Sequence, residues 1–124
     1  MTITDTFLEE ITKSINNESY VFPAYLAVAS TQVTAIETNA TVLSGEFGDR
    51  DLLTGSRVTN VVNLSAINSG ATITNPDGTN IGSSGLMSVI TSGVLLTGVT
   101  HSGITQTTNF DIKFEYKITT NRQT

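Results

Sequence analysis

The sequence predicts a mainly β protein, an antiparallel β-sandwich or small barrel preceded by one N-terminal amphipathic helix. Three observations carry this. Thr, Ser and Asn supply about a third of the 124 residues and Gly is abundant; Thr suits pleated strands, while Ser, Asn and Gly suit turns. Short apolar or alternating runs are separated by turn signals along most of the chain, the pattern of many short strands. The last run, residues 110–118, alternates strictly between apolar and charged, as a half-buried antiparallel strand does. A mass of 13.2 kDa fits one domain with one modest core. That domain is 1–124, with a helical segment at 1–18 and a β-domain at 19–124.

Residues 4–17 read as the helix. Thr6 with Glu9 three positions on resembles a capping box, and Asp5, Glu9 and Glu10 suit a helix N-terminus. Phe7, Leu8, Ile11 and Ile15 recur at helical spacing and form an apolar stripe. Asn16-Asn17 is the expected stop. Four turns are marginal alone, so the stripe must dock, either on the domain's own sheet or on a neighbouring chain.

Strands are expected from residue 19 onward. Residues 20–29 form an apolar run with Pro23 inside it, which points to an edge strand or bulge. Residues 32–37 alternate weakly. Residues 39–53 look irregular and hold the most charged stretch, Gly45-Glu46-Phe47-Gly48-Asp49-Arg50-Asp51. Residues 57–67 read as one strand with Val58, Val62, Leu64 and Ala66 on a shared face. Residues 71–74 and 79–81 flank Asn75-Pro76-Asp77-Gly78, a strong turn signal. Residues 86–90 and 94–97 flank Thr91-Ser92-Gly93, a short hairpin. In the last strand Phe110, Ile112, Phe114, Tyr116 and Ile118 face one way and Asp111, Lys113, Glu115 and Lys117 the other. The alternating charges discourage edge-to-edge aggregation.

The residue inventory excludes several functions. The net charge is −5 and the pI about 4.5, and six basic residues spread along the chain make no stripe for nucleic acid and no polybasic membrane patch. With no cysteine there is no disulfide framework, thiol nucleophile or Cys-based zinc site. Residues 1–5 carry no positively charged start followed by an apolar stretch, so synthesis and folding in a cytoplasm are expected. The apolar-leaning runs around 20–29 and 86–99 are too short and interrupted to span a bilayer.

Candidate chemistry is equally sparse. His101, the single histidine, sits in Thr100-His101-Ser102-Gly103 and reads as a turn or surface residue, without the spacing of a metal site. Asp49-Arg50-Asp51 reads as a loop salt-bridge cluster. The glycines follow no phosphate-cradling pattern, and Ser83-Ser84-Gly85 is no nucleophile elbow. Phe47 beside Gly48 is either an exposed partner anchor or a core plug. No catalytic residue, cofactor or metal is expected, and the protein reads as non-enzymatic.

In the C-terminal half Gly85-Leu86-Met87, then Ser92-Gly93-Val94-Leu95-Leu96, then Ile104-Thr105-Gln106-Thr107-Thr108 lead in that order into the alternating strand. This pattern resembles small β-rich virion structural proteins of tailed bacteriophages and related tailed viruses. Gly45-Glu46-Phe47-Gly48-Asp49-Arg50, with the helix and residues 20–29, is similar to the N-terminal half of some of these proteins. Two departures bear on the subgroup: Ile81-Gly82-Ser83-Ser84 stands where such proteins often carry an acidic residue, and Gln106 replaces Lys. The resemblance implies a particle component such as a capsid decoration or cement protein, or a neck or tail-associated part, resident in the virion. Its partners would be other virion proteins and further copies of itself, with no nucleic acid or membrane. The expected subunit contacts are Phe7, Leu8, Ile11, Ile15 and Phe47. The competing expectations are a receptor- or glycan-binding module of a tail fibre and a cellular β-sandwich adaptor that binds peptides by strand addition.

Overall fold

The computed structural model describes residues 1–30, 35–69, 80–105, 107 and 111–121. It is mainly β, with two antiparallel sheets packed face to face and one N-terminal helix.

The chain starts in a two-residue strand, β1 (Thr2–Ile3), and passes straight into helix α1 (Asp5–Ile15). Thr4 is the N-cap: its hydroxyl accepts the Phe7 N–H at 3.3 Å, which satisfies one orphan donor of the first turn. This corrects the expected box at Thr6 and Glu9. Thr4 prevails because it is fully buried and its Oγ1 also lies 2.8 Å from the Leu95 carbonyl and 3.0 Å from that of Leu96. Helix entry is thus fixed by tertiary hydrogen bonds as well as by local capping. The helix stops at Asn16, and Asn17 takes a left-handed φ of 60°, which Asn tolerates.

The strands that follow are β2 (Tyr25–Ala29), β3 (Glu46–Leu52), β4 (Thr54–Val58), β5 (Val61–Asn68), β6 (Asn80–Met87), β7 (Leu95–Thr105) and β8 (Ile112–Thr119). One sheet has the order β1-β7-β6-β2-β3 and the other the order β4-β5-β8. Between them lies the main core: Leu26, Val28, Ile81 and Leu86 from the large sheet meet Ala66, Phe114 and Tyr116 from the small one. The large sheet is buried on its other face too. There Ala27, Ala29, Met87 and Leu95 pack with Leu43, Ile36 and Ala40 from the segment joining β2 to β3. Two glycines permit that close approach. A Cβ on Gly85 would stand 2.5 Å from a Leu95 methyl and 3.0 Å from the Thr97 carbonyl, and one on Gly98 would stand 2.9 Å from the Ile36 side chain.

Several elements differ from the sequence expectation. Strand β2 begins at Tyr25, so Pro23 lies before it and not within it. The region 39–53 is not irregular: its charged half is strand β3. Residues 57–67 are not one strand but the heart of a hairpin, because Thr59-Asn60 turns with Thr59 at φ 50°. Val58 therefore pairs with Val61 and is 73% exposed, away from the face that Val62, Leu64 and Ala66 share. Residues 35–37 are not strand, and 32–34 lie outside the described residues, as do 71–79 with their turn and Phe110. The β6–β7 hairpin turns through positive φ at Ser92 and Gly93, near its expected place. In β8, Phe114 and Tyr116 are buried while Lys113, Glu115 and Lys117 are exposed, as the alternation requires.

Candidate functional site

Three places concentrate chemistry or exposed apolar surface. The first is a polar chain that crosses the core. Ser84 on β6 is fully buried, and its hydroxyl lies 2.8 Å from His101 Nε2 and in a short hydrogen bond to the Tyr116 hydroxyl on β8. His101 is not in a turn. It sits in β7 two residues beyond Val99, which packs on the main core, so strand alternation puts its ring on the inner face, and residues 101–103 then stand opposite the single Gly82 in a bulge. The ring meets Phe114 edge-on at 5.6 Å. Burial lowers the His101 pKa, and it pushes the Tyr116 hydroxyl up to about 12 against the opposing effect of the Ser84 bond. A serine on a histidine is the start of a nucleophilic arrangement. Here the serine oxygen has no exposed surface and is shared with a tyrosine, so the chain ties the two sheets together and fixes their register.

The second place is Arg50 on β3. Its guanidinium grips Glu46 through two bonds, Nε to Oε2 at 2.7 Å and the second terminal nitrogen to Oε1 at 2.9 Å. The remaining terminal nitrogen donates to the carbonyls of Val89 and Ser92. This replaces the expected Asp49-Arg50-Asp51 cluster. On a strand, Arg50 reaches its i−4 neighbour and the β6–β7 turn instead, while Asp51 accepts from Asn68 at 2.9 Å. Desolvation raises the Asp51 pKa, with Asn68 opposing and Asp49 adding. A cavity of about 580 Å³ lies beside the clamp, lined by Glu46, Gly48, Asp49, Arg50, Ile90, Thr91 and Ser92. With four of its five N–H donors engaged, Arg50 serves to hold the turn against β3.

The third place is an apolar groove of about 390 Å³ where α1 crosses the end of the small sheet. It is lined by Phe7, Ile11, Phe22, Pro23, Val62, Leu64, Ile118 and Thr120. Glu10 anchors its wall: its carboxylate accepts the Val21 N–H at 3.0 Å and Lys13 Nζ at 3.2 Å, which holds its pKa below the usual carboxylate range. That bond folds residues 20–23 back along the helix. Phe22 then meets Phe7 edge-on at 6.1 Å and Tyr20 at 4.8 Å.

The five expected contact residues divide. Phe7 is buried in the groove floor, and Phe47 is partly buried against the main core, so of its two readings the core plug applies. Leu8, Ile11 and Ile15 remain on the surface, 53%, 36% and 82% exposed. Tyr20, Val21 and Phe22, which the sequence reading placed in a strand, add exposed apolar area beside them. Among the described residues no cluster of three metal-ligating side chains occurs, and no helix is long and apolar enough to cross a membrane. Comparison with family models, curated proteins and solved structures finds no match to the chain.

Proposed function

We propose that this protein is a non-enzymatic structural component of a tailed-virus particle, a capsid decoration or neck and tail-associated protein that binds neighbouring virion subunits. The supporting observation is the exposed apolar surface of Leu8, Ile11 and Ile15, continued by Tyr20, Val21 and Phe22 around the groove. Monomeric proteins seldom leave so many large apolar side chains together in water, and such patches mark contact surfaces. The helix that carries them is stapled to the domain through Thr4 and Glu10, so the surface is presented on a rigid base and loses little entropy when covered. Contact area of this kind gains strength by repetition over many copies.

The test has two steps. Mass spectrometry of tailed particles purified from the source culture should find the chain in fixed proportion to the capsid or tail proteins, and its absence from them would overturn the proposal. Leu8→Asp with Ile15→Asp, at exposed positions that leave the fold intact, should then abolish incorporation.

A further inference from the structure

The small sheet ends in β8, which among the described residues pairs on one side only, with β5. The phase of that pairing is set by Thr120, whose N–H donates to the Asn60 carbonyl at 3.0 Å, one step beyond the Val61 and Thr119 pair. In an antiparallel ladder the bonded pairs recur every second residue. The even-numbered residues of β8 therefore turn their N–H and C=O toward β5, and Lys113, Glu115, Lys117 and Thr119 turn theirs to the open edge. The side chains of these four stand exposed on the outer face of the sheet.

An edge with this charge sequence is selective about what it accepts. If two copies meet antiparallel about Glu115, Glu115 faces Glu115 and Lys113 faces Lys117. If they meet about Tyr116, Glu115 of each copy faces Lys117 of the other and Lys113 faces Thr119, while on the inner face Phe114 lies opposite Ile118. This register uses seven of the eight strand residues. The register about Phe114 also matches charges, through Lys113 and Glu115, but keeps only five strand residues paired. The existing ion pair between Lys113 and Glu115, 3.2 Å long with both side chains about half exposed, holds Glu115 only weakly. The other edges offer no such match: β1 has two residues, β4 has Arg57 alone, and on β3 Arg50 is engaged.

We infer that the open edge of β8 is an interface for a second copy of this chain, paired antiparallel about Tyr116, with Glu115 against Lys117 twice across the two-fold axis. The union joins two three-stranded sheets into one of six strands. It stands whether or not the chain belongs to a virus particle.

Sedimentation equilibrium of the full chain at high protein concentration and near-physiological salt tests it. The expected result is a monomer–dimer equilibrium, with a limiting mass twice 13.2 kDa. Glu115→Lys and Lys117→Glu each set like charges opposite one another twice and should weaken association by about tenfold or more. The double exchange Glu115→Lys with Lys117→Glu should restore it. A wild-type chain that stays at single-chain mass, or a double exchange no tighter than the single variants, overturns the inference. The register is read separately, since the chain has no cysteine of its own. A short bismaleimide should join a mixture of Glu115→Cys and Lys117→Cys chains faster than either variant alone, because 115 and 117 stand directly opposite while 115 meets 115, and 117 meets 117, only on the diagonal. Coupling of Glu115→Cys to itself faster than in the mixture overturns the register.

Discussion

In β6 the run from Ile81 to Met87 is buried residue after residue, whereas in β8 burial alternates and Lys113, Glu115 and Lys117 stay in water. The two strands belong to the two sheets, and their environments explain the contrast. The large sheet has the small sheet on one face and the segment carrying Ile36, Ala40 and Leu43 on the other. The small sheet has a core on one face and solvent on the other. A strand covered twice tolerates few charges and selects small or apolar residues at every position, here Gly, Ser, Leu and Met. A strand covered once can carry charges, and its wet face and edge are free to meet other molecules.

The largest expected effect tests the double burial. Leu86→Ala empties the inter-sheet core and Met87→Ala the opposite face, and each should lower unfolding free energy by about 3 kcal/mol in denaturant titrations. Lys117→Ala on the wet face should change it by less than about 0.5 kcal/mol. If Met87→Ala behaved like Lys117→Ala, the second face would not be a core. Next in size is Gly85→Ala, whose methyl would meet a Leu95 methyl and the Thr97 backbone. A loss of about 2 kcal/mol is expected from overpacking.

A gain should come from Thr97. Its hydroxyl is fully buried on β7 and has no hydrogen-bond partner among the described residues. Thr97→Val keeps the shape, removes the desolvation cost and should raise stability by about 1 kcal/mol.

The smallest effect belongs to His101. Its folded pKa lies below the ordinary 6.5 because burial disfavours the charged ring, so the unfolded chain binds the proton more readily. Stability should be level above pH 6.5 and fall as the pH drops through that value toward the folded pKa, then level off again. Thermal melts through this window should show the slope, and His101→Gln should remove that part of it.

The same contrast governs what was legible in the sequence. Strand β8 and the helix stripe were readable because each has one wet face, and water imposes a period of two or 3.6 on the residues. Strand β3 was hidden by its charges, Glu46, Asp49, Arg50 and Asp51: Arg50 pairs with Glu46 along the strand and reaches the β6–β7 turn, and Asp51 meets Asn68 on β5. The β4–β5 turn was hidden because Thr59-Asn60 lacks the Gly or Pro that marks most turns. Thr4 and Thr6 are equal as caps by residue type, and only the carbonyls of Leu95 and Leu96 decide between them.

The site was legible in part for the same reason. Leu8, Ile11 and Ile15 announced an apolar face, but Phe7 left it because Phe22 returns to cover the helix. The link from Ser84 to His101 and Tyr116 gave no signal, since its members are 17 and 32 residues apart and none has a distinctive neighbour.

The anchoring of Thr4 to Leu95 and Leu96 also sets an order of events in folding. The first strand and the helix start of this chain are fastened to residues more than ninety positions later. While the chain is being synthesised, α1 can flicker into a helix but has no seat, because β7 does not yet exist. Its first turn waits unanchored until the β6–β7 hairpin is made, and contacts so distant in sequence form slowly. The segment made first is thus among the last to be locked, and a destabilised β7 should appear first as a loose N-terminus, detectable as early amide exchange at residues 5–15.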